Sequence, residues 1–267
     1  MIPKVIHYCW FGGKPLPQLA VKCIESWKKY LPDYEIKEWN ESNFDVNAIP
    51  YTREAYSVKK YAFVSDYARF WILYHYGGLY FDTDVEVIRN MDAIVEKGPF
   101  MGCERYVSDT IGASVAPGLG LGVNPGLGLG VNPGLGLYKE ILDMYERESY
   151  IMPDGTYSPK TVVHLTTEIL CQHGLKATNE IQQCAGVWIY PKDYFCPKDI
   201  DTRELVITSN SVSIHHYDGS WLPKSKKFNL LIQQFLGRKI TLFIVRVKAF
   251  FRKKKNNQRQ VIEEQIL

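Results

Sequence analysis

One segment constrains the rest of the chain. A helical pattern of apolar residues runs from Glu54 to Tyr76, stops on Gly77-Gly78, and passes at once into Leu79-Tyr80-Phe81 and the acid pair Asp82-Thr83-Asp84. A glycine pair suits a helix C-cap, and a short apolar run behind it reads as a buried strand. A helix feeding a buried strand that ends in carboxylates is the repeating unit of an α/β sheet, whose ligands gather at the carboxyl ends of the strands.

The flanking sequence fits such a sheet. Lys4 to Trp10 reads as a buried strand running into the turn Gly12-Gly13-Lys14-Pro15, Ala20 to Tyr30 as a helix stopped near Pro32, and Glu35 to Trp39 as a strand. Further on, a strand is expected near Phe100, helices over Tyr138–Glu148 and Thr161–His173, and strands over Val187–Tyr190 and Ser213–Tyr217. The fold class is α/β, with a Rossmann-like, mostly parallel central sheet flanked by helices. A length of 267 residues with 46% hydrophobic and 23% charged side chains suits a globular domain with a full core, and excludes a collagen-like or largely disordered chain.

Charge divides the chain in two. Residues 224–267 carry 12 Lys+Arg against 2 Asp+Glu, which leaves 20 against 27 in residues 1–223. The acidic body argues against a nucleic-acid partner, and the basic tail points to an anionic surface. In that tail Phe228, Leu231, Ile232, Phe235, Leu236, Ile240, Phe243, Val247 and Phe250 recur at helical spacing among Arg238, Lys239, Arg246, Lys248 and Arg252-Lys-Lys-Lys255. This is the pattern of an amphipathic helix at a membrane interface, although a helix packed on the body satisfies it too. The expected division is a catalytic domain over 1–223 and a basic amphipathic tail over 224–267. Six cysteines without C-x-x-C spacing read as reduced, mostly buried thiols of a cytoplasmic protein, and the N-terminus is not a secretory signal.

An octapeptide repeat interrupts the pattern. Pro117 to Asn124 recurs unchanged as Pro125 to Asn132, and a third copy begins at Pro133 and runs to Leu137. Its period is too short for a solenoid and it contains no G-x-G-x-x-G. Glycine at every second position disfavours both helix and strand, so a loop over 117–137 is expected. It is either a tolerated surface expansion or the border of a cleft whose length tunes what is admitted.

The candidate chemistry centres on Asp82 and Asp84. Residues two apart in extended chain face the same side, so both carboxylates can face one hard cation such as Mn²⁺ or Mg²⁺, whose remaining ligands are water and phosphate. Asp66 and Arg69 share a helix face among Phe63, Phe70 and Trp71, which suits a partly buried cleft wall where the guanidinium meets phosphate or sugar hydroxyls. The run Ser213-Ile-His215-His216-Tyr-Asp-Gly-Ser220-Trp221 offers two imidazoles, a hydroxyl and an indole. In strand geometry His215 and His216 face opposite ways, so only one can serve the site.

Four blocks together resemble a family: Ile2-Pro-Lys-Val-Ile-His7-Tyr-Cys-Trp10-Phe-Gly-Gly, Ala62-Phe-Val-Ser-Asp66-Tyr-Ala-Arg69, Tyr76-Gly-Gly-Leu-Tyr80-Phe-Asp82-Thr-Asp84-Val, and His215-His-Tyr-Asp-Gly-Ser220-Trp221. They resemble the sugar-binding-region glycosyltransferases with a D-x-D motif, glycosyltransferase family 32, which is related distantly to the catalytic domains of large clostridial toxins. The resemblance implies a GT-A fold and retaining, metal-dependent transfer from a nucleoside-diphosphate sugar, UDP- or GDP-linked, to a glycan or lipid-linked oligosaccharide acceptor. It places such a protein in capsular or surface polysaccharide biosynthesis, peripheral at the inner face of the membrane. Carried over by position, it implies that Trp10 stacks on the base and that the backbone around His7 lines the nucleotide pocket. Asp66 and Arg69 would hold the donor sugar, and Asp82 would touch ribose and sugar. Asp84 would ligate the metal with His216, less readily His215, while Ser220 and Trp221 close over the leaving group. The competing readings are a metal-dependent phosphohydrolase and a non-catalytic, membrane-associated glycan-binding or scaffolding relative.

Overall fold

The computed structural model of the chain describes residues 1–105, 115–116, 121–123, 134–200 and 202–219. It opens on the expected β-α-β unit of β1 (Val5–Cys9), α1 (Gln18–Tyr30) and β2 (Glu35–Trp39), with β2 parallel to β1. The long helical pattern is two helices, α2 (Pro50–Ser57) and α3 (Tyr61–Tyr76). Lys59 breaks it with a left-handed φ of 59°, and Lys60 N–H turns back to the Ala55 carbonyl at 2.8 Å. Apolar spacing hides the break because Ala55 and Val64, on either side of it, join one core cluster.

After α3 come β3 (Gly78–Tyr80), β4 (Val85–Val87), α4 (Asp92–Val95), β5 (Phe100–Cys103), β6 (Val115–Ala116) and β7 (Leu121–Val123). The remaining elements are α5 (Gly136–Glu146), α6 (Val162–Gln172), β8 (Gln182–Cys184), β9 (Val187–Tyr190), α7 (Lys192–Phe195) and β10 (Ser213–His215). The central sheet has the order β2-β1-β3-β7-β5-β9-β8, with β6 on β5. β1 is parallel to β2 and β3, β7 opposes both β3 and β5, and β9 is parallel to β5. Five of the described strands therefore run one way, and β6, β7 and β8 oppose them. This is the expected α/β class. β10 does not join it and instead pairs antiparallel with β4 in a two-stranded sheet.

Alternation along the strands supplies a core to each face of the sheet. Ile6, Tyr8, Leu79, Phe81 and Phe100 enter one cluster with Trp27 of α1 and Phe195 of α7, while Cys9, Tyr80 and Met101 enter the other with residues of α2, α3, α5 and α6. All six cysteines are free thiols, five buried and Cys171 exposed.

The repeat is not wholly a loop, which corrects that expectation. Leu121–Val123 of the first copy is β7, inserted between β3 and β5, with Gly122 opposite both Leu79 and Phe100. A strand flanked on both edges has its backbone groups paired whatever its side chains, and that outweighs the poor strand propensity of glycine. The third copy opens α5, and residues 124–133 lie outside the described residues.

The chain divides into two units, the first holding Met1–Pro197 and Val206–Trp221. Of the second, the described part is residues 198–200 and 202–205, a turn closed by a Lys198–Leu205 bridge in which the Thr202 N–H and hydroxyl donate to the Asp199 carboxylate. The expected tail over 224–267 lies outside the described residues, and no described helix is long and apolar enough to cross a membrane.

Candidate active site

The site is built on the approach of β1 to β3. Gly78 has φ +95°, and a Cβ there would lie 2.6 Å from the Val5 carbonyl oxygen and 3.1 Å from His7 Nε2. His7 is buried and bonded through both ring nitrogens. Its Nδ1 accepts from the Trp39 indole at 3.0 Å, so Nε2–H donates to the Gly77 carbonyl at 2.9 Å. Burial, aided by the charge of Lys37 and opposed by the Gly77 bond, lowers its pKa to about 4, so the ring is neutral. The His7 side chain thus ties β1 to β2 and to the α3–β3 junction, and it is turned into the interior. Trp10, just past β1, is half-buried, and its indole N–H donates to the Lys14 carbonyl at 2.6 Å.

β3 ends at Tyr80, and the acid pair lies in a turn closed by Val85 N–H on the Asp82 carbonyl at 3.0 Å, so the expected extended geometry is replaced. The two carboxylates consequently have separate partners. Asp82 meets Arg69 at 3.2 Å and accepts from the Tyr80 hydroxyl at 3.1 Å. Arg69 is buried, with Nη2 2.9 Å from Asp66 Oδ1, Nε donating to the Ser65 carbonyl at 3.1 Å, and Cζ 5.0 Å from the Tyr80 ring centroid. The i, i+3 spacing expected of Asp66 and Arg69 is realised on α3 as a buried pair that reaches across to Asp82. Burial raises the Asp66 carboxyl to about 7, with Arg69 opposing and Asp82 adding to the rise. Burial also raises Asp82, against Arg69 and with the neighbouring charge of Asp84.

Asp84 is held from the β10 side. His215 Nε2 lies 3.1 Å from Oδ1, Asp218 N–H donates to Oδ2 at 2.9 Å, and His216 N–H donates to the Asp84 carbonyl at 2.9 Å. Burial acts to raise this carboxyl, but the charge and hydrogen bond of His215 and the Asp218 N–H hold it at about 2. Burial acts to lower His215, and Asp84 overrides it and takes the imidazole well above its ordinary range. The expectation that His216 turns to the acid pair is corrected. Its ring lies 2.7 Å from Glu86 Oε2, which also pairs with Lys22 at 3.0 Å, because successive residues at the end of β10 face opposite ways. The two histidines do divide as strand geometry requires, with His215 as the inward one. Ser220 and Trp221 lie outside the described residues.

Three further residues belong to this constellation. Tyr80 is bonded to Asp82, and Cys196 Sγ lies 2.8 Å from the Tyr217 hydroxyl beneath His215. Tyr80 was open to notice as part of the strand leading into the acid pair, whereas nothing in the spacing of Cys196 and Tyr217 connects them. Asp82 and Asp84 have side chains 29% and 19% exposed, so an incoming ligand can touch both. Among the described residues no three His, Cys, Asp or Glu side chains gather as a ligand set. One or two carboxylates fit a hard divalent ion that takes its other ligands from phosphate and water.

Residues 17–101 match the family described as "Glycosyltransferase sugar-binding region containing DXD motif". That stretch holds Asp66, Arg69, Asp82 and Asp84, and the resemblance stated for these residues stands; His7, Trp10, His215 and His216 fall outside it. The chain is 28% identical over 111 residues to inositol phosphoceramide mannosyltransferase 1 of Schizosaccharomyces pombe, covering 38% of this chain and 33% of that protein. It is 33% identical over 98 residues to inositol phosphoceramide mannosyltransferase 3 of the same organism, covering 35% of this chain and 27% of that protein. The chain thus spans a third or less of the length of these curated relatives. Among solved structures, the PaToxG glycosyltransferase is similar at 20% identity and TM-score 0.43, covering 64% of this chain and 69% of that one. The galactosyltransferase LgtC is similar at 13% identity and TM-score 0.34, covering 87% of this chain and 94% of that one.

Proposed function

We propose that the chain is a retaining, metal-dependent glycosyltransferase that moves a sugar from a nucleoside diphosphate, UDP or GDP, to a glycan or lipid-linked acceptor of a surface or capsular polysaccharide. The observation that carries this reading is the pairing of Arg69 with Asp82 beside the separately held Asp84, at the carboxyl end of β3 and inside the matched sugar-binding region.

The residues divide the work between metal, donor and membrane. Asp84, its carboxylate fixed by His215 and the Asp218 N–H, holds the divalent ion, Mn²⁺ or Mg²⁺, with His215 rather than His216 as the adjoining imidazole. When bound there, the ion supplies Lewis-acid stabilisation of the leaving diphosphate. Asp82 accepts hydroxyl hydrogen bonds from the donor, and Arg69 neutralises it and directs it from behind. Asp66 sits deeper, so its part is to orient Arg69, with which it pairs at Nη2 as Asp82 does. Trp10 offers a ring for the base at the end of β1. The basic residues of 224–267 supply contact with an anionic membrane, at the inner face where a lipid-linked acceptor lies.

A thermal-shift panel of UDP, GDP and CDP with and without Mn²⁺ tests the donor site. A ligand at 100 times its Kd adds about 2.7 kcal/mol, which raises the midpoint of a domain of this size by roughly 5–10 °C. A Mn²⁺-dependent rise with one nucleotide is expected, absent in Asp84→Asn together with sugar transfer. Near-normal transfer by folded Asp84→Asn would overturn the assignment.

A further inference from the structure

The turn that wraps Asp84 is strained, and the Tyr217 side chain braces it. Tyr217 has φ +54°, in the left-handed region where a bulky side chain is an outlier. This backbone reversal, immediately after β10, carries the chain from the His216 N–H on the Asp84 carbonyl to the Asp218 N–H on Asp84 Oδ2. Such conformations persist only where the surroundings enforce them. Here the enforcing contacts come from Cys196, just after α7, and from His215 of β10. The Tyr217 hydroxyl meets Cys196 Sγ at 2.8 Å, and its ring lies 4.1 Å from that of His215.

Cys196 is a firm anchor. It is fully buried and follows α7, whose Tyr194 and Phe195 carbonyls accept the Val212 N–H at 2.7 Å and the Ser213 hydroxyl at 3.2 Å. Phe195 in turn stacks on Phe100 of β5, with centroids 5.6 Å apart and planes at 7°. A continuous path of packed groups therefore runs from the central sheet through Phe195, Cys196 and Tyr217 to both oxygens of Asp84.

We propose that Tyr217 is a positioning residue for the metal–diphosphate site: its hydroxyl, tied to Cys196, holds the strained turn that sets the orientation of the Asp84 carboxylate. The proposal rests on the reading of Asp84 as the residue that binds the metal and donor diphosphate. A loosened turn frees the Asp218 N–H and lets the carboxylate rotate, so affinity for the metal–nucleotide complex falls while the fold stands.

Calorimetric titration of the full chain with UDP and with GDP, each in the presence of Mn²⁺, tests this on Tyr217→Phe, Cys196→Ala, their double variant, and Cys196→Ser. Tyr217→Phe and Cys196→Ala should each weaken binding about tenfold, the scale of one hydrogen bond. The double variant should be no weaker than Cys196→Ala alone, because that change already removes the Tyr217 link along with the contact of the thiol with His215. Cys196→Ser keeps a hydrogen-bonding partner and should stay within about threefold of wild type. A contact that is merely structural lowers the nucleotide-free melting midpoint and leaves the affinity of the folded protein unchanged, and that result overturns the proposal, as does full additivity in the double variant. Where Tyr217→Phe melts too early to titrate, Cys196→Ala set against Cys196→Ser, which keeps a hydrogen-bonding group beside both Tyr217 and His215, carries the test with the Tyr217 backbone and ring intact. If wild type binds neither nucleotide with Mn²⁺, the donor-site reading fails and takes this proposal with it. If wild type binds and the variants match it, only the brace is refuted.

Discussion

Replacing Gly78 with alanine puts a methyl group where β1 and β3 leave no room. The added Cβ meets the Val5 carbonyl oxygen at 2.6 Å, and that atom belongs to the backbone of a strand paired on both edges, so it cannot swing aside. The backbone conformation, φ +95°, costs an alanine about 1 kcal/mol. Prising β1 from β3 adds about 2 kcal/mol, in the middle of the range for overpacked interiors. The sum, about 3 kcal/mol, lowers the melting midpoint of a domain of this size by roughly 6–12 °C. Gly98→Ala is the matched control, since Gly98 has φ +111° and an added methyl there meets nothing within 4 Å, leaving only the backbone cost of about 1 kcal/mol or roughly 2–4 °C. Circular-dichroism melts of the two variants beside wild type decide the matter. If Gly78→Ala melts no lower than Gly98→Ala, the close approach of β1 to β3 is not what fixes the start of β3, and the account of how Asp82 is placed fails with it.

Two other outcomes are expected. His7 is held neutral with a pKa of about 4 while the unfolded chain takes up a proton near 6.5, so the unfolded state binds more protons in that window and stability rises with pH across it. The His7 contribution should be about 2 kcal/mol smaller at pH 5 than at pH 7.5, read as the change in the wild-type minus His7→Gln difference in urea unfolding; a difference flat in pH refutes the neutral, buried ring. Removal of residues 224–267 should abolish co-sedimentation with vesicles of anionic phospholipid, and undiminished binding by the shortened chain would show that the basic tail is not the membrane contact.

Much of the frame was legible because it rests on local signals. The β2 strand, the α1, α5 and α6 helices and the run into Asp82 follow from apolar periodicity, glycine stops and proline, which act over a few residues. What escaped is one local backbone reversal and several contacts distant in sequence. Lys59 breaks a pattern that apolar spacing carries straight through, and β10 leaves the central sheet because β4 offers it an edge. The acid pair was placed at the right end of the right strand, yet its turn hands Asp82 to α3 and Asp84 to β10, a division no two-residue spacing expresses. Strand alternation predicted that only one of His215 and His216 faces inward but not which, since that depends on the register of β10 against β4.

β7 is a strand whose identity resides in its neighbours. The five residues after Asn124 read Pro-Gly-Leu-Gly-Leu, and so do the five after Asn132, so loss of one whole octapeptide from the gene leaves Leu121–Val123 and its flanks spelled as before. The same pentapeptide ends with Leu121 opening β7 in one copy and with Leu137 in the first turn of α5 in another. A recombination error in units of eight codons therefore falls on the middle of a sheet without misspelling it. An exchange of whole eight-codon units keeps the translation frame, so inheritance can change the number of copies between β7 and α5 without rewriting the strand itself.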